Sequence, residues 1–88
     1  MLHILSFFLA AISSVPFTYA QSQLLESVKS NPKEATALCQ KFRDLNSKGI
    51  SSGAKEVVNE ISIDKQLSVT DAEILSIYVI GMYCPDVK

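Results

Sequence analysis

The residues of this 88-residue chain with the chemistry to act are two cysteines, Cys39 and Cys84, and a scatter of carboxylates: Glu26, Glu34, Asp44, Glu56, Glu60, Asp64, Asp71 and Glu73. A carboxylate pair does acid–base work when one partner is held neutral beside the other. At this density, interleaved with lysines, these residues read instead as the wet faces of helices. The single histidine is His3 and there is no tryptophan. The body of the chain can therefore assemble neither a Ser-His-Asp triad nor a Cys-His pair, nor a histidine-rich zinc site. The cysteines stand 45 positions apart, with no Cys-x-x-Cys pair and no further thiol, so redox chemistry and metal binding are not expected of them. Catalytic residues, cofactor and metal are all expected to be absent, and the protein is not expected to be an enzyme.

Eight basic and nine acidic residues give a formal net charge of −1 without a block of like charge. Neither nucleic acid nor an acidic membrane surface is an expected partner. None of these charges falls within residues 1–20. There, residues 4–12 (ILSFFLAAI) form an apolar run broken only by Ser6, followed by Pro16 and then Thr18-Tyr19-Ala20. Signal peptidase requires small side chains one and three positions before its cut, which Ala20 and Thr18 supply. Residues 1–20 thus read as a secretory signal peptide cleaved between Ala20 and Gln21, with Pro16 ending its apolar helix and no Lys or Arg at its start. The alternative is an uncleaved anchor over residues 2–20, close to the ~20 residues a bilayer needs, which Pro16 and three serines weaken. No cysteine lies near the cut, so lipid attachment there is excluded.

Residues 21–88 remain as one small domain, with a secreted or periplasmic location. Such compartments oxidise thiols, and Cys39 and Cys84 are expected to form one intramolecular disulfide, an intermolecular bridge being the alternative. The bridge would close a loop of about 46 residues, which chain entropy values at about 4 kcal/mol. A core of this size supplies only about 3–5 kcal/mol unaided. The staple would therefore decide whether the domain folds.

Leu24, Leu25 and Val28 suggest a first helix over residues 23–30, either packed on the core or swinging free. Asn31 and Pro32 read as the cap and first residue of a second helix, with Glu34 placed to reach back. Ala35, Leu38, Cys39, Phe42 and Leu45 then recur on one face. Residues 46–49 (NSKG) read as its stop, with Gly49 left-handed and Ile50 packing back onto the helix. Ser51 or Ser52 is the expected cap of a third helix running through Lys65, with Ala54, Val57, Val58 and Ile61 inward. Thr70-Asp71-Ala72-Glu73 reads as a capping box opening a fourth helix, with Val69 and Ile74 as a hydrophobic staple around it. Residues 74–82 (ILSIYVIGM) carry no polar face, which places this helix at the buried centre. Pro85 ends it at Cys84. Tyr78 and Tyr83, five positions apart, point in different directions and are expected to pack in the core, not to clamp a ligand. The expected fold is all-α, a small bundle of three to four short helices stapled by one disulfide.

Cys39-Gln40-Lys41-Phe42, Gly49-Ile50-Ser51, Thr70-Asp71-Ala72 and Tyr83-Cys84-Pro85 follow one another in this order. Over about residues 34–86 the chain resembles the small exported proteins of the domain of unknown function 732 family, known mostly from mycobacteria. The pattern there is a signal segment, a cysteine and a large apolar residue on one helix, a glycine turn, and a capped helix ending in Tyr-Cys-Pro. The chain departs from it at Phe42, where Leu is expected, and at Gln40, where an acid is frequent. The resemblance implies an exported, disulfide-bonded helical domain and carries over no activity. The expected role is a non-enzymatic interaction module with an unidentified protein partner. Ile63, Leu67 and Val87 fall off the main apolar stripes, as partner-facing or core-packed residues. The alternative is a membrane-tethered accessory subunit that keeps residues 1–20 as its anchor.

Overall fold

The computed structural model describes residues 15–88, with side chains from residue 21 onward. The apolar run at residues 4–12, read above as the centre of a signal peptide, lies outside the described residues. The described residues form four α-helices and no strand: α1 over Val15–Ser30, α2 over Pro32–Ser47, α3 over Lys55–Lys65 and α4 over Val69–Tyr83. The all-α fold is as expected, with four helices and the disulfide in place.

Helix α1 starts earlier than residue 23, with Pro16 as its second residue, while the apolar helix that Pro16 is expected to end lies outside the described residues. At the second position of a helix the proline nitrogen has no intrahelical carbonyl to meet, and its fixed φ suits the turn. The helix consequently runs unbroken through Ala20 and Gln21. Its later half belongs to the core, since Leu24 and Val28 are buried.

A single residue, Asn31, joins α1 to α2, and it does not cap α2 with its side chain. Its Nδ2 donates instead to the Ser27 carbonyl at 2.9 Å. The last carbonyls of α1 lack intrahelical donors, and an amide at the joint serves them better than it serves α2. Glu34, expected to reach back to that cap, pairs across the molecule with Lys65. The inward stripe of α2 is as expected: Ala35, Leu38, Cys39 and Phe42 are buried. At its end the Ile50 N–H donates to the Leu45 carbonyl at 2.9 Å and the Gly49 N–H to Asn46 at 2.9 Å. This double closure requires a left-handed residue, which Gly49 supplies at φ 81°. Ile50 packs back only in part and stays 38% exposed.

Neither Ser51 nor Ser52 caps α3; its N-cap is Ala54. Ser51 Oγ accepts from the Gly53 N–H at 3.1 Å and so shapes the turn before the helix. Val57, Val58 and Ile61 are buried as expected. The helix closes at Gln66, a non-glycine residue at φ 57°, through Leu67 N–H to the Ser62 carbonyl at 2.9 Å. Ser62 Oγ donates to the Leu67 carbonyl at 2.6 Å and holds the same turn from the side.

The N-cap of α4 sits two residues earlier than expected. Ser68 is the N-cap and its Oγ accepts from the Asp71 N–H at 3.1 Å. Both Ser68-x-x-Asp71 and Thr70-x-x-Glu73 fit the pattern, and burial selects between them. Capping at Ser68 places Leu67 before the cap, packed against the core, and buried Ala72 four positions into the helix. Val69, expected before the cap as half of a staple with Ile74, is instead the first residue of the helix and half exposed.

Helix α4 is the central element, packing against α1, α2 and α3. The main chains of α2 and α3 stay apart and are bridged by the side-chain pairs Lys41 with Glu60 and Lys65 with Glu34. The core under them contains Phe42, Ile61, Val79 and both cysteines. Each such large apolar side chain contributes about 1.5–3 kcal/mol on burial.

Candidate functional site

Cys39 lies midway along α2 on its buried stripe, and Cys84 is the C-cap of α4, its N–H donating to the Ile80 carbonyl at 3.1 Å. Their sulfurs are bonded at 2.04 Å with the Cα atoms 6.0 Å apart, so the bridge is intramolecular. It has the dimensions of an ordinary disulfide.

Beyond Cys84 the chain turns through Pro85, with the Val87 N–H donating to the Cys84 carbonyl at 3.1 Å. It then runs along α2, where Arg43 and Asn46 follow Cys39 at four- and seven-residue spacing. These three residues share one helix face, and residues 84, 86 and 88 meet them in turn. Arg43 Nε and Nη2 each donate to an Asp86 carboxylate oxygen at 2.9 Å. Asn46 grips the Lys88 main chain from both sides: Oδ1 accepts from its N–H at 2.7 Å and Nδ2 donates to its oxygen at 2.7 Å. The Ser52 N–H donates to the same oxygen at 2.8 Å. The hydrogen bonds from Arg43 hold the Asp86 carboxyl below its ordinary range, and Asp86 in turn raises Arg43. One covalent, one ionic and one hydrogen-bonded grip therefore lie in a row, with Val87 half-buried against the core between the last two.

The second notable surface is on α4. The sequence placed this helix wholly inside, and the structure corrects that: Ala72, Leu75, Ser76 and Val79 are buried, but Ile77 is 66% exposed and Met82 41%. Three neighbouring helices cannot surround a fourth, so one side stays open, and Ile77 occupies it because α4 is apolar all round. Beside Ile77 lies a groove of about 160 Å³ floored by Val58, Ser76 and Ile80, with Glu73 at its rim. Gly81 is exposed on the same helix, and a Cβ there would have no atom within 4 Å.

Of the three residues read as either partner-facing or core-packed, Leu67 and Val87 pack against the core, while Ile63 is 80% exposed. Tyr78 packs against the core as expected, but Tyr83 does not: it is 36% exposed, and its hydroxyl donates to the Val28 carbonyl at 3.3 Å, joining α4 to α1. The acids are spread over the surface: Glu26 beside Lys29, Asp44 beside Lys48, Glu34 and Glu60 across the α2–α3 gap. Among the described residues no three His, Cys, Asp or Glu side chains are grouped as a metal site would need.

Sequence reasoning missed Arg43, Asn46, Asp86 and Ile77. Once the two cysteines are joined, helical spacing from Cys39 and alternation from Cys84 bring the first three into register, and that signal was available. For Ile77 there was none.

No curated protein and no solved structure matches the chain. A family model matches residues 25–84, from the middle of α1 to the second cysteine, and the protein belongs to that family, the domain of unknown function DUF8664.

Proposed function

We propose that the protein is an exported, non-enzymatic interaction module whose partner covers the open face of α4. The observation that carries this reading is the exposure of Ile77, beside Ile80 and Gly81, on a helix whose other sides are packed. Isolated exposed apolar residues are ordinary; apolar side chains gathered at a groove with a polar rim, here Ile77 and Ile80 with Glu73, are a recognised mark of protein contact. Export is supported by the signal-like residues 1–20, by the disulfide and by the family match, which begins only at residue 25. The resemblance to the domain of unknown function 732 family, through Cys39, Gly49 and Tyr83-Cys84-Pro85, supports the same reading.

One observation favours the second reading, a membrane-tethered accessory subunit retaining residues 1–20. Helix α1 continues through Ala20 and Gln21, whereas a peptidase needs an extended, accessible stretch at its cut. Among the described residues no helix is long and apolar enough to cross a membrane.

Intact mass of the protein recovered from its host, with and without reduction and alkylation, separates the two. A chain beginning at Gln21 that alkylates only after reduction fits the exported module. A full-length chain fits the tethered subunit. The interaction surface is tested by Ile77→Glu, which is expected to leave the fold intact and abolish co-purification of the partner; a variant that retains the partner moves the interface elsewhere.

A further inference from the structure

Cys84 is fully buried and Cys39 is 2% exposed, so a thiol in solution has no approach to either sulfur in the folded protein. Thiol–disulfide exchange proceeds by direct attack of a thiolate on sulfur, and some opening must come first. Two openings are available. Unfolding the bundle exposes Phe42, Ile61 and Val79, all buried to 2% or less. Lifting residues 86–88 breaks the Arg43–Asp86 fork, whose side chains are 49% and 59% exposed, the bonds of Asn46 and Ser52 to Lys88, and the Val87 N–H bond to the Cys84 carbonyl. It also frees one half-buried side chain, Val87. Local openings that give up few contacts lie far below global unfolding in free energy.

We propose that residues 86–88 form a lid on the Cys39–Cys84 disulfide, and that release of this lid, with the bundle still folded, is the step that admits a reducing dithiol. One thiolate of the dithiol attacks Cys84 Sγ, the Sγ–Sγ bond breaks, and the Cys39 sulfur leaves as a thiolate and is protonated from water. The second dithiol sulfur, as its thiolate, then displaces Cys84, which leaves as a thiolate and takes up the other proton. The protein disulfide gains two electrons and the dithiol becomes a cyclic disulfide. Asn46 is the lid's main catch, because one side chain holds both the N–H and the oxygen of Lys88.

The test is the rate at which dithiothreitol reduces the oxidised protein without denaturant. Asn46→Ala is expected to raise that rate about ten-fold, the equivalent of one or two lost hydrogen bonds, with the circular dichroism of the native helices unchanged. Val58→Ala weakens the bundle away from the lid and is expected to leave the rate within two-fold of the parent. Ile61→Val replaces it if that variant does not fold. An unchanged rate in Asn46→Ala overturns the lid. So does an acceleration by the core variant equal to that of Asn46→Ala, which would show that the disulfide is reached through unfolding of the bundle.

Discussion

Two helix faces of this small domain end up in opposite states. On α2, Cys39, Arg43 and Asn46 are each met by the protein's own chain at residues 84, 86 and 88. On α4, Ile77 stays 66% exposed and a Cβ at Gly81 would meet no atom within 4 Å. The difference follows from what each face offers. A thiol, a guanidinium and a carboxamide have directional partners, and the turn that begins at Cys84 carries matching groups at residues 84, 86 and 88 that meet all three. Isoleucine and glycine offer only area, and the three surrounding helices have spent theirs on the other sides of α4. The first face holds the fold together, and the second stays open, which is where the proposed partner would dock.

The strongest way to break this comparison is to remove the covalent grip. Replacing both Cys39 and Cys84 by Ala should cost about 4 kcal/mol, with a range of about 2–5 kcal/mol across such bridges. That approaches the whole stability expected of a core this small. Thermal unfolding followed by circular dichroism should show the cooperative transition lost or lowered steeply. A loss of less than about 1 kcal/mol would mean that the ionic and hydrogen-bonded grips hold the corner without the bridge.

A smaller effect of opposite sign is expected on the other face. Gly81 is helical without a positive φ, and a Cβ there points into open space. Gly81→Ala should therefore stabilise the domain by about 0.5–1 kcal/mol through the lower entropy of the unfolded chain, read as a higher denaturation midpoint. If the α4 face is a contact surface, the same methyl should weaken partner capture while it strengthens the fold. A residue that improves stability and impairs binding would sharpen the division between the two faces.

How much of this was legible in the sequence depended on whether a local pattern had one solution. The stripe Ala35, Leu38, Cys39 and Phe42 alternates with polar residues at helical period, so its inward side has one answer. The stretch from Ile74 to Met82 has no polar side to orient it, and only the positions of α1, α2 and α3 decide that Val79 turns in and Ile77 out. The start of α4 had two solutions, at Ser68 and Thr70, separated by the burial of Leu67. The left-handed turn at Gln66 has no signal, because glutamine is not a residue that marks such turns; Gly49 is one, and its φ of 81° matches. Arg43 and Asp86 lie 43 positions apart, beyond the reach of any periodicity, and come into register only through the disulfide.

The finest test of the comparison is pH, because the α2 face ionises and the apolar residues of the α4 face do not. Asp86 has an ordinary value of 3.8 that the Arg43 fork depresses in the folded protein. A depressed folded value means that the folded state binds this proton less readily than the unfolded state. The stabilisation is therefore fully present above about pH 4 and is lost as pH falls through the depressed value. Exposure and screening by salt keep it small. Comparing the melting temperature of the protein with that of Asp86→Asn should show a modest gap at pH 6 that shrinks as pH falls below 3.8 and through the depressed value, and a narrower gap in high salt. A gap that persists unchanged at pH 2 would assign the effect of Asp86 to its hydrogen-bonding shape, not to its charge, and would leave the three grips on α2 with no electrostatic member.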